Sequence, residues 1–137
     1  MLQQLQTTSF VNLQSFRGPF GETPLHIMAA RRELSDPQRG DGRELMQALV
    51  HVGFGVNDQD DEGETPLHWA AFAGAAWTTS FLIRHGANPM INSFSGEQPL
   101  QIARARPTTF LDAASPTEFA EIETTLEAAE LPWRVRA

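Results

Sequence analysis

The 137-residue sequence contains no cysteine, no lysine and no tyrosine. Without cysteine there is no disulfide framework, no thiolate nucleophile and no thiolate-ligated zinc or iron-sulfur site. Without lysine, all ten basic residues are arginine, which we read as the codon bias of a GC-rich, bacterial genome. Positive charge is itself scarce. Ten basic against seventeen acidic residues give a formal net charge of −7, the wrong sign for neutralising a phosphate backbone, so the composition argues against nucleic acid as a partner. Long apolar runs are also missing, which argues against a membrane span. The first twenty residues have no base before Arg17, and their apolar positions are split by Gln, Thr, Asn and Ser. The charged and apolar regions of a secretory signal are therefore lacking, and the expected location is the cytoplasm. What remains is 41% hydrophobic and 20% charged, too apolar for a disordered chain. At this length one domain is expected, burying ~68% of the surface that the unfolded chain exposes.

The chain repeats itself. Gly21-Glu22-Thr23-Pro24-Leu25-His26 recurs unchanged as Gly63-Glu64-Thr65-Pro66-Leu67-His68, each copy followed by an alanine pair, Ala29-Ala30 and Ala70-Ala71. A third, eroded copy is Gly96-Glu97-Gln98-Pro99-Leu100-Gln101-Ile102-Ala103. The step from Pro66 to Pro99 is 33 residues, and that from Pro24 to Pro66 is 42, or 33 with a nine-residue insertion. A period of this size indicates a stacked solenoid, in which each unit buries its apolar face against the next.

The signature of turn, Thr-Pro-Leu-His, two alanines and a later Gly-Ala turn, nearly complete over residues 60–92, resembles that of the ankyrin repeat family. The resemblance covers residues 18–130. It implies an all-α solenoid of about three helix-turn-helix repeats with β-hairpin fingers and helical caps. The expected division of this single domain is an N-terminal cap at 1–17, repeat 1 with its insertion at 18–59 and repeat 2 at 60–92. A degenerate capping repeat 3 at 93–130 and a tail at 131–137 complete it.

Local chemistry points the same way. Thr23 and Thr65 can cap helices, and Pro24 and Pro66 then take the first helical position, where a missing N–H costs nothing. Leu25 and Leu67 turn into the core, and Ala70-Ala71 lets the next helix approach closely. The second helix of repeat 2 runs through Trp77, Phe81, Leu82 and Ile83 to Gly86. That of repeat 1 runs through Leu45, Ala48, Leu49, Val50 and Val52 to Gly53. Ser115-Pro116-Thr117-Glu118 reads as a capping box ahead of Phe119, Ile122 and Leu126, a helix expected to close the stack. Met28 stands where the first alanine of a pair belongs, and is expected to fill a gap against the N-terminal segment. Gln98 and Gln101, replacing Thr and His, suit a solvent-facing terminal repeat. Insertions at 32–42 and 107–115 should emerge away from the fingers.

Single residues are weighed against their ordinary structural roles. His26 and His68 invite a metal or acid-base reading, but a buried imidazole is normally a hydrogen-bonded one, and in the family this histidine links neighbouring units. His51 and His85 sit near helix C-termini and, without cysteine or paired carboxylates, make no zinc set. The run 58–63 has the acids and sixth glycine of a calcium loop. It fails at the twelfth position, where Trp69 replaces the bidentate glutamate, so no metal is expected. Instead, residues 58–64 carry five acids and no base, a negative finger tip. Gly53-Phe54-Gly55 ends a helix and is no dinucleotide fingerprint. Trp69 is assigned to the core. Phe72 faces the concave groove as an anchor or packs under a finger.

No nucleophile elbow, phosphate loop or carboxylate pair is found, so no enzyme and no cofactor are expected. The expected function is that of a protein-protein interaction module, monomeric when free. Its contact residues would be Phe20, Glu22 and Arg31, then Asp61, Glu62, Glu64 and Phe72, then Phe94 and Glu97. An inhibitor, immunity-type protein or adaptor acting on a basic toxin or effector ranks first, by charge. A self-assembling repeat protein and a host-directed effector are the alternatives.

Overall fold

A computed structural model describes residues 17–31, 41–105 and 116–136. The expected N-terminal cap before Arg17, residues 32–40 of the first insertion and the second insertion lie outside the described residues, as does Ser115 of the expected capping box. Six helices are seen among the described residues: α1 Pro24–Ala29, α2 Asp41–Val52, α3 Pro66–Ala73, α4 Ala76–Arg84, α5 Pro99–Ala105 and α6 Pro116–Arg136. The first helices α1, α3 and α5 stack side by side, while α4 packs on α3, and α6 lies against both α4 and α5. This is the helical solenoid that the 33-residue period implies.

The helix starts follow from sequence. Thr23 and Thr65 are extended N-caps whose hydroxyls accept the amides of His26 and His68. Each histidine Nδ1 in turn accepts the threonine amide at 3.0 Å. The result is a capping box with imidazole in the place usually held by glutamate or glutamine. In the third copy Gln101 does the same, its Oε1 accepting the Gln98 amide at 2.8 Å. The second helices end in paired bonds over a positive-φ glycine: Ala87 N–H to Leu82 O and Gly86 N–H to Ile83 O, and likewise Phe54 to Leu49 and Gly53 to Val50. These are Schellman ends, and the residue after each glycine, Ala87 or Phe54, is buried.

The core runs through the stack: Leu25, Met28 and Ala29, then Leu67, Ala70 and Ala71, then Leu100, Ile102 and Ala103, with Phe81, Leu82, Phe119, Ile122 and Leu126 behind them. Each fully buried leucine contributes ~1.5–3 kcal/mol of transfer free energy. One expectation, the inward face of α2, is corrected, and another, that Met28 takes the place of the first alanine, holds. On α2, Leu45 and Ala48 face solvent, and Met46 is the fully buried residue. The equivalents of Ala70-Ala71 at the 42-residue step are Met28-Ala29, so Ala30 lies outside the helix contact and is exposed. Behind α4 a ladder of rings continues, with the Arg43 guanidinium 4.7 Å from the Trp77 centroid, Trp77 stacked on Phe81, and Phe81 tilted against His85.

The fingers, at residues 18–22, 60–64 and 93–97, are tight turns. No strand occurs among the described residues, so the expected β-hairpins are not seen. Each turn is closed by two backbone bonds, such as Gly63 N–H to Asp60 O and Asp60 N–H to Glu64 O, with Gly21, Gly63 or Gly96 at positive φ. Neighbouring fingers are joined by one bond each, Asp61 N–H to Phe20 O and Phe94 N–H to Glu62 O, both 2.9 Å. One bond per joint is too few to form a ladder. A Cβ at Gly21 or Gly63 would come within 3.0 Å of the next finger's backbone, whereas one at Gly96 would meet open space.

Candidate functional site

The fingers and the first helices share one face. On it, a groove of about 400 Å³ is lined by Ala30 at the end of α1, by Trp69, Phe72 and Ala73 of α3, and by Glu62 and Glu64 of the middle finger. Asp60 organises this region from beneath. Only 7% exposed, it accepts the Glu62 and Glu64 amides on Oδ1 and the Trp69 indole N–H on Oδ2, all at 2.9 Å. Three donors satisfy a buried carboxylate that would otherwise be costly. Asp60 is therefore an internal support of the finger, whereas the sequence pattern places it in the charged tip. Trp69, assigned to the core from sequence, is half-buried and lines the groove, its ring edge-on to His26 at 5.4 Å.

His26 and His68 bind the fingers to the helices. Their Nε2 atoms donate to the carbonyls of Glu64 and Glu97, both at 2.8 Å, so each first helix grips the finger of the following repeat. With Nδ1 facing an amide donor and Nε2 a carbonyl, only the neutral Nε2–H tautomer satisfies both ends. Burial holds both imidazoles below the usual histidine range, outweighing the carbonyl bonds and nearby carboxylates that raise it. They are structural links between repeats, as expected from sequence.

Eight of the nine named contact positions fall into three groups, and Glu22 stands apart. Glu62, Glu64 and Phe72 meet in the groove; Phe72 is 58% exposed. Phe20 and Asp61 are joined by one inter-finger bond and Glu62 and Phe94 by the other, giving a row of exposed side chains in which Phe20 is 69% and Phe94 74% exposed. Arg31 and Glu97 are exposed beside these elements, and the Glu97 carboxylate accepts from Ser95 Oγ. Glu22 does not belong to the surface. It is 6% exposed, lies over Gly18 and accepts the Phe20 amide on Oε1. A turn whose first residue is glycine has no side-chain acceptor of its own, and Glu22 supplies one. Asp58, two residues ahead of the middle finger, pairs with Arg17 at 3.3 Å. Burial, then Asp60, Glu62 and Glu97, raise the Glu64 carboxyl above its ordinary range.

Among the described residues no group of three or more histidine, aspartate or glutamate side chains is placed to hold a metal ion. No described helix is long and apolar enough to cross a membrane. On the opposite side, His51 and His85 line a shallow hollow with Glu44, Gln47, Ala48 and Val50.

Comparison with known proteins gives a consistent picture. A family model described as ankyrin repeats (3 copies) matches residues 1–91 and 37–109. The chain is similar to ankyrin repeat domain-containing protein 40 of Homo sapiens, 40% identical over 68 residues, covering 49% of this chain and 18% of that protein. The Mus musculus protein of the same name is 34% identical over 96 residues, 69% of this chain and 26% of that one. ANK repeat-containing protein nipk-1 of Caenorhabditis elegans is 32% identical over 109 residues, 72% of this chain and 16% of that protein. The chain thus spans between 16% and 26% of the length of these relatives.

Proposed function

The chain belongs to the ankyrin repeat family, and on that premise we propose that it is a non-catalytic binding module that takes one protein partner on the face made by its fingers and first helices. The observation that carries this reading is the exposure of Phe20, Phe72 and Phe94 on one surface around Asp61 and Glu62. Large rings left in water beside a polar rim are the composition of a contact patch. Within the reading, a neutralising or adapting role of the inhibitor or immunity type comes first, directed at a basic toxin or effector in the cytoplasm. The support is charge complementarity with a chain of net charge −7.

A self-assembling role is weaker on a specific ground. Asp61 and Phe94 occupy the turn position from which each finger donates an N–H to the finger before it. Pro19 occupies that position in the first finger and has no N–H to give. A second copy would gain no such bond at its first finger, which favours a monomer. A host-directed effector would use the same face.

The test is surface plasmon resonance with a partner isolated by affinity, at two ionic strengths. Asp61→Asn with Glu62→Gln and Glu64→Gln should slow association and flatten its salt dependence, and Phe72→Ala should speed dissociation. Wild-type kinetics in both variants would reject this face.

A further inference from the structure

The groove is chemically narrower than a general contact surface. It is lined by two aromatic rings, Trp69 and Phe72, and by two carboxylates, Glu62 and Glu64, and its lining among the described residues includes no base. We propose that this groove seats one arginine side chain of the partner protein, stem and guanidinium plane against Trp69 and Phe72, with its N–H groups on Glu62 and Glu64. The proposal rests on the face of the fingers and first helices being the binding face, and specifies what that face reads.

Three observations favour this occupant. The first is preorganisation: Trp69 is fixed by its indole bond to Asp60 and by the edge contact with His26, and the same Asp60 holds the backbone from which Glu62 and Glu64 project. A ring already locked loses little entropy on binding. Charge is the second. Asp60, Glu62 and Glu97 all act on Glu64 in the direction of protonation, and a cation entering the groove relieves that crowding. Shape is the third. A purely apolar side chain would desolvate both carboxylates without pairing them, and an ammonium would be heavily hydrated and could not stack. A guanidinium stacks on rings and forks onto carboxylates. The volume, about 400 Å³, falls in the range of small-ligand clefts.

The experiment is an NMR titration of the whole chain with the blocked peptide acetyl-Gly-Ser-Arg-Ser-Gly-amide, and with the same peptide carrying citrulline or lysine instead of arginine. The Trp69 indole N–H and the Phe72 ring are the reporters. The arginine peptide should shift both resonances saturably in the millimolar range, as expected of one side chain. Citrulline, which keeps the shape and loses the charge, should bind at least about tenfold more weakly, as should arginine to Glu62→Gln/Glu64→Gln. Glu44→Gln, on the opposite side, should bind as the wild type. Equal shifts with arginine and citrulline, equal binding of lysine and arginine, no saturable shift at about 20 mM peptide, or shifts away from Trp69 would each overturn the proposal. A partner that weakens on Phe72→Ala but tolerates replacement of each of its arginines would overturn the arginine seat and leave the binding face standing. A partner indifferent to both Phe72 and the finger would remove the face itself.

Discussion

Replacing Thr78 by valine should make the protein more stable, and replacing its neighbour Thr79 by valine should make it less so. Both threonines are completely buried on α4. The Thr79 hydroxyl donates to the Ala75 carbonyl at 2.9 Å, while the Thr78 hydroxyl has no hydrogen-bond partner among the described residues. Valine matches threonine in shape and β-branching, so helix propensity and packing volume nearly cancel. What differs is the fate of the hydroxyl. At Thr78 the substitution removes a buried group that has lost its water without compensation, a penalty of ~1–3 kcal/mol, and adds a methyl to the core. Discounting for local relaxation, the expected gain is about 1 kcal/mol. At Thr79 the substitution removes a made bond. Ala75 O still accepts the Thr79 amide, so no acceptor is orphaned and the loss should be ~0.5–1.5 kcal/mol. Unfolding entropy of ~2.1 cal/mol/K per residue translates 1 kcal/mol into a Tm change of about 3–4 °C at this chain length. Differential scanning calorimetry and urea melts of both variants would measure it. A Thr78→Val variant destabilised as much as Thr79→Val would refute the reasoning, because it would mean that the Thr78 hydroxyl is as well bonded as its neighbour's.

Other outcomes follow from the same structure. Ala70→Arg should abolish the cooperative thermal transition followed by circular dichroism, since Ala70 is fully buried on α3, which packs against α1 and α5; a wild-type Tm would reject the placement of α3. Acid should destabilise the fold through His26 and His68: their folded-state pKa is lowered by burial, so below about pH 6.5 the unfolded chain takes up protons that the folded chain refuses. Stability present above that pH should fall as pH drops through it, and His26→Gln/His68→Gln, which copies the Gln98–Gln101 cap, should flatten that part of a urea-melt profile. Neutralising Asp61, Glu62 and Glu64 together should leave Tm unchanged or raised, because the Glu64 carboxylate is already disfavoured in the folded state; a clear fall in Tm would mean that these charges hold the finger together.

Much of the fold is legible in the sequence because the signals are local. A Thr-Pro pair fixes a helix start whatever surrounds it, and a glycine after an apolar run fixes a helix end. Phe119, Ile122 and Leu126 read correctly as one buried face because a long helix gives its period room to show. On α2 the pattern points to Leu45 and Ala48 instead of Met46, since a run in which five of six residues are apolar does not say which face turns inward. The site is legible only in part. Phe20, Phe72, Phe94, Asp61 and Glu62 are exposed as expected, but charge counting treats every acid alike. Asp60 and Glu22 are internal acceptors of backbone amides, a role fixed by where the turn folds. Trp69 carries the one overlooked signal: an indole N–H must find an acceptor when half-buried, and it bonds to Asp60, an acid nine residues upstream.

The joints between fingers have a direction, and that bears on how such a chain can be lengthened. Every joint consists of one amide reaching back to one carbonyl, and the middle finger carries both halves, the Asp61 N–H and the Glu62 carbonyl. A duplicate of residues 60–92 spliced after residue 92 would find a carbonyl waiting upstream and offer one to Phe94 downstream. The histidine links would register as well, since His68 of the original would grip the carbonyl of the copied Glu64 and the copied His68 that of Glu97. Growth at that junction repeats interactions already in place, whereas a unit added ahead of the first finger would meet Pro19 and gain no bond at the joint. The middle repeat is the part of this protein that can be copied without changing a residue.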